Sequence, residues 1–214
     1  MNLRFLLLLI LCCSLSSCLT IIESYTFRQD GSGSMEYTVD MSEMSSLLEM
    51  SGGFEENQDM MGKSTDDWIT SLKNISGITK ARADFDEDRY TLKISFDFSS
   101  PDALNMALAD ILQIKSAQKI FFWNGNIIRR KHQADSQMEL LSQLQDDERS
   151  QMIMSMFKEM KYKCTYRFDK KVKVFYSSPS IGFEQRSKKE WGMETNLEEL
   201  LENPAALNVG MVLR

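Results

Sequence analysis

Residues 90 to 98, YTLKISFDF, place Tyr90, Leu92, Ile94, Phe96 and Phe98 at every second position with polar side chains between them. Successive side chains of a strand point to opposite faces, so this run predicts a strand buried on one face and wet on the other. Three further stretches carry the same alternation. Tyr25 and Phe27 lead through an Asp30–Gly31 turn to Met35, Tyr37 and Val39. Ala81, Ala83 and Phe85 share a face and enter the 90–98 run through the DEDR turn at 86–89. The stretch IFFWNGNII, residues 120 to 128, centres a hairpin on Asn124–Gly125.

Helix signals follow each hairpin. Asp40 with Glu43 starts a helix through Leu47 and Leu48, as a capping box does. Pro101 opens a helix whose Leu104, Leu108, Ile111 and Leu112 form one apolar stripe. Ser136 with Glu139 starts a long helix to about residue 160. This order predicts an α+β fold, a mostly antiparallel sheet built from hairpin-helix units with helices on one face. The units share a pattern and no residue-level similarity.

Beyond them, Tyr162, Cys164, Tyr166, Phe168, Val172, Val174 and Tyr176 all occupy even positions. That parity reads as one long strand, bent or hairpinned near Asp169–Lys170. Trp191 and Met193 mark another strand. Asn196 with Glu199 caps a short helix ending at Pro204, and Leu207, Val209, Met211 and Leu213 alternate after it. Residues 51–66, with adjacent glycines and no period, read as a loop.

Cysteine usage says where such a chain works. Three of the four cysteines fall at Cys12, Cys13 and Cys18, leaving Cys164 alone in the body. A single thiol cannot form an internal disulfide, so the fold must rest on its core. Arg4 precedes an apolar run from Phe5 to Leu11, too short to span a bilayer and of the right length for a secretory signal. The run ends in Leu15–Ser16–Ser17–Cys18, which resembles the lipobox of bacterial lipoproteins.

That resemblance implies cleavage between Ser17 and Cys18, acylation of Cys18 with palmitate among its chains, and export to the cell envelope. Residues 1–17 would be the signal peptide and 18–214 one α+β domain anchored through Cys18. Leu19, where an Asp would mark inner-membrane retention in some Gram-negative bacteria, favours the outer membrane over the cell membrane or a soluble periplasmic life. An extended segment soon after Cys18, the DGSG turn at 30–33 and a late strand near Trp191 are also similar to LppM-type envelope lipoproteins.

Catalytic motifs are sparse. His132 is the one histidine and stands in RRKH, residues 129–132, with no Cys, His or carboxylate cluster at ligand spacing. Ser116–Lys119 and Ser155–Lys158 match Ser-x-x-Lys but lack its companion triplets. Asp84, Asp86 and Asp88 have calcium-loop spacing, yet Arg89 replaces the needed glycine and Ser95 the closing glutamate. No cofactor and no metal site is expected. Arg129, Arg130 and Lys131 read either as a solvated loop or as contacts to anionic headgroups. In MIMSMFKEM, Met152, Met156 and Met160 share a helix face. Thioethers there either fill irregular core gaps or line an adaptable groove.

A formal net charge of -6 over 214 residues argues against nucleic acid as a partner. These readings converge on an exported, lipid-anchored protein with a non-enzymatic binding or scaffolding role, its partners the membrane and a lipid or envelope protein. The alternative is a lipid- or glycolipid-binding module with an apolar pocket between sheet and helices.

Overall fold

A computed structural model describes residues 19–45, 64–112, 119–131, 160–177, 181–203 and 205–214. Residues 1–18, the expected helix through Leu47 and Leu48, and the expected helix from Ser136 up to residue 159 lie outside them. Within the described residues the alternating runs become strands β1 (Thr20–Phe27), β2 (Gly33–Asp40), β3 (Ile78–Asp86) and β4 (Thr91–Phe98). Then come β5 (Phe121–Asn124), β6 (Ile127–Arg130), β7 (Lys161–Phe168) and β8 (Val172–Ser177). The last are β9 (Glu184–Ser187), β10 (Glu190–Asn196) and β11 (Val209–Leu213).

The fold is α+β, with the strands divided between two sheets rather than one. Seven strands run in the order β3-β4-β2-β1-β7-β10-β9 and four in the order β5-β6-β11-β8. All pairs are antiparallel except β1 with β7, which run parallel. One hydrophobic cluster joins both sheets and the helices.

The 90–98 run behaves as its alternation requires. Leu92, Ile94, Phe96 and Phe98 are 0–2% exposed while Lys93 stands in solvent. Phe96→Ala is expected to cost about 3–5 kcal/mol in urea denaturation and Lys93→Ala to be nearly neutral; equal losses would refute the facing. The first hairpin turns as read, with Gly31 at φ 84 and the Asp30 carboxylate accepting from Ser32. Just beyond it, a Cβ on Gly33 would run into the Thr26 carbonyl and the Phe98 ring, so the close pairing there requires glycine.

Helix α1 (Thr65–Lys73) escaped the sequence reading, which left residues up to 66 as loop. Its signal was present: Ser64 and Asp67 cap each other's backbone N–H groups, and Trp68 and Leu72, four apart, are buried. Helix α2 (Pro101–Ile111) starts where Pro101 placed it, and Ser100 caps it by accepting from Ala103 N. Helix α3 (Leu197–Glu202) is capped by Asn196, which accepts from Glu199 N at 2.8 Å. At Asp40 the expected capping box is not formed: its carboxylate accepts from Ser42 N in a local turn, and a short 3₁₀ segment Ser42–Met44 follows.

Two registers differ from the reading. The β5–β6 loop is Gly125–Asn126, because Asn124 pairs with Ile127 and Gly125 takes the positive φ of 62. The even-numbered run 162–176 is two strands in different sheets, and the chain crosses between them at 169–171. Asp169 pins that corner, donating its N–H to the Phe27 carbonyl and accepting from Gln29 N. A bulge between β8 and β11 then reverses the parity, so Phe175 opposite Met211 faces inward. Tyr176 is 61% exposed.

Candidate functional site

Strand β6 carries the basic run that the sequence singled out, and alternation splits it. Ile128 and Arg130 face the large sheet; Arg129 faces solvent. Arg130 is 3% exposed and therefore makes no headgroup contact, which corrects the expectation for that residue. Its guanidinium crosses the space between the sheets to Glu23 on β1, itself 2% exposed, at 2.8 Å. It also donates to the hydroxyls of Tyr166 and Tyr162, each at 3.0 Å, and to the Cys164 sulfur at 3.3 Å. Tyr25 completes the cluster by donating to Glu23 at 2.8 Å. The rings of Tyr25 and Phe121 lie under the guanidinium at 5.7 and 5.8 Å.

The parallel pairing of β1 and β7 assembles these groups. Register places Glu23 beside Cys164 and Tyr25 beside Tyr166 on the inner face. Burial pushes all three phenols, Tyr25, Tyr162 and Tyr166, well above their ordinary value, and the nearby Arg130 only partly opposes this. Burial likewise raises the Cys164 thiol to about 12, against the pull of Arg130. Burial alone would lower Arg130, but Glu23 and the tyrosine oxygens hold it well above its ordinary value. The cluster is thus one ion pair solvated by neutral phenols and a neutral thiol, and at neutral pH Cys164 is no nucleophile.

This pair was legible and missed. Glu23 falls at the core parity of Tyr25 and Phe27, and Arg130 at that of Ile128. Two opposite charges at core positions are the signal of a buried pair.

Arg129 and Lys131, which flank Arg130, are exposed. On the outer face of the small sheet, register aligns Phe122, Arg129, Gly210 and Tyr176 in one row. Ile127, Val212 and Val174 lie in the next. Lys131 sits over the Phe122 ring at 5.4 Å, and Phe122 is 39% exposed. This face combines aromatic rings, aliphatic side chains and two solvated cations.

Among the methionines, Met160 is 4% exposed and packed in the core, so it lines no open groove; Met152 and Met156 lie outside the described residues. Tyr25, Phe27, Phe98, Phe121 and Tyr166, all on strands, pack their rings together in the core at 4.9–6.5 Å. Ser17, Cys18, His132, Ser116, Ser155 and Lys158 lie outside the described residues, while Lys119 pairs with Asp102. Asp86 accepts from Arg89 N in an ordinary turn. Among the described residues no cluster could hold a metal, and no helix is long and apolar enough to cross a membrane.

No family model and no curated protein matches the chain. Among solved structures it is similar to the folded domain of the Mycobacterium tuberculosis LppM protein, determined by NMR. The likeness has a TM-score of 0.49 at 12% identity, covering 93% of this chain and 91% of that one.

Proposed function

We propose that the chain is a lipid-anchored cell-envelope protein, non-enzymatic, whose folded body is held against a bilayer to bind or scaffold an envelope component. The carrying observation is the absence of slack between the expected anchor and the fold. Leu19, the residue after Cys18, already accepts a backbone hydrogen bond from Lys161 at 2.9 Å, and β1 begins at Thr20. One or two extended residues span only about 3.5 Å each, so an acylated Cys18 brings the body to the membrane surface. Two exposed cations, Arg129 and Lys131, support headgroup contact in this reading, since their neighbour Arg130 meets Glu23, three residues (about 10 Å) along β1 from Thr20.

The wild-type chain should label with palmitate and partition with membranes, and Cys18→Ser should lose both while folding. The body from Leu19, fused to a cleavable signal, controls for an uncleaved leader. Without acyl chains, that body should bind anionic vesicles at low salt, and Arg129→Glu with Lys131→Glu should weaken this about tenfold or more. Label persisting in Cys18→Ser, or a wild-type protein released soluble, overturns the reading.

A further inference from the structure

The outer face of the seven-stranded sheet is hollowed into a cleft of about 340 Å³ on the side away from the buried arginine. Its floor is mostly short side chains, with the longer Glu36 standing between Ser24 and Ser95. Ser24, Glu36 and Ser95 are register neighbours across β1, β2 and β4, and Thr26, Ser34 and Asp97 form the adjacent row. The short side chains of Ser24, Thr26, Ser34 and Ser95 lie lower than the long side chains at the rim.

The rim is cationic. Arg167 stands at the β7 side, and Lys80 and Arg82 at the β3 side. A bulge puts both β3 cations there: Thr79 pairs with Asp97 and Arg82 with Ser95, so Lys80 and Ala81 together oppose Phe96. Lys80 adopts φ 53, a left-handed conformation that a residue with a side chain rarely takes, and its ammonium reaches Asp97 at 2.7 Å. Glu36 is likewise engaged, by Lys93 at 2.8 Å. Among the described residues, Arg167 makes a long contact of 3.5 Å to Glu190.

Hydrogen-bonding capacity is left over on this floor. Among the described residues, Ser24, Thr26, Ser34 and Ser95 have no side-chain hydrogen bond, and Arg82 has no ion pair. A hydroxyl donates once and accepts twice, which is also what each hydroxyl of a sugar does. A guanidinium presents a planar fork that matches a carboxylate or phosphate. The floor is three strands wide, about 10 Å between outer strand axes, which accommodates one or two pyranose rings.

We propose that this cleft binds an acidic sugar, a pyranose bearing a carboxylate or phosphate, with its ring hydroxyls over the serine–threonine floor and its acid group on Arg82. The site is independent of the lipid anchor and faces away from the Phe122–Tyr176 surface.

The test is calorimetric titration of the full-length lipidated chain in detergent with glucuronate, glucose 6-phosphate, glucose and inorganic phosphate. Saturable binding of either acidic sugar carries the proposal, and the tighter of the two names the acid group. Glucose and phosphate should each bind at least about tenfold more weakly, since each lacks half of the recognised chemistry. Arg82→Gln, and separately Ser34→Ala with Ser95→Ala, should each weaken binding about tenfold or more. Lys173→Gln, exposed on β8 of the other sheet, should leave the sugar affinity unchanged. Three results overturn the proposal: neither acidic sugar binding below roughly 10 mM, phosphate binding as tightly as glucose 6-phosphate, or both cleft variants binding as wild type does.

Discussion

Arg130→Met should destabilise the chain by about 5 kcal/mol or more, the largest loss expected from any single substitution here. Methionine is close in length and apolar, so packing changes little, and the effect comes from charge. The Glu23 carboxylate would remain 2% exposed without its cation, a defect that costs about 3–5 kcal/mol on its own. The hydroxyls of Tyr162 and Tyr166 also lose their guanidinium donors. Adding Glu23→Leu removes the stranded charge and should recover at least about 2 kcal/mol, although the phenols stay short of partners. Urea denaturation of the two single variants and the double variant gives the coupling directly. A loss under about 1 kcal/mol for Arg130→Met would mean that the pair is open to water.

Alkali should unfold the chain cooperatively between about pH 10 and 12. Burial raises the Tyr25, Tyr162 and Tyr166 hydroxyls well above their ordinary value of 10.0, and lifts the Cys164 thiol from 9.0 to about 12. Their protonated forms are neutral, so as pH climbs past 9 to 10 the unfolded chain releases these protons first. It then binds fewer protons than the folded chain, and stability falls with pH. Below pH 9 these four groups contribute their full stability and no pH dependence. Above pH 10 the four together remove up to about 5 kcal/mol per pH unit, against a typical total of about 5–15 kcal/mol. Circular dichroism and tyrosinate absorbance should therefore change together. Tyrosinate forming at all three phenols in a chain that keeps its circular dichroism would sink their burial.

Local chemistry was legible wherever one face of an element meets one environment. The 90–98 run, the Ser100–Pro101 start of α2 and the Asn196 cap of α3 follow from neighbours within four residues. Legibility fails where the determinant is distant. Nothing near Asp169 says that β7 joins one sheet and β8 another, because that depends on β1, β10 and β11. The parity reversal at Lys173 hides in a bulge that only the pairing with β11 reveals. Arg130 looked solvated because Arg129, Lys131 and His132 flank it, and its partner Glu23 is more than a hundred residues away. The open-face cleft went unread for a related reason. Each serine there is unremarkable in its own strand, and only cross-strand register gathers them.

The parallel pairing of β1 with β7 sets an order of events in assembly. β1 lies at the middle of its sheet, with β2 supplied by the next hairpin and β7 by a stretch roughly 140 residues downstream, a closure worth about 4 kcal/mol of chain entropy. A chain emerging amino end first presents β1 to β4 as a half-sheet long before residue 168 arrives. Until then β1 exposes a full-length edge of unpaired amides next to the Glu23 carboxylate. Completion is therefore slow and late, and the nascent half-sheet depends on whatever shields that edge while the rest of the chain is made.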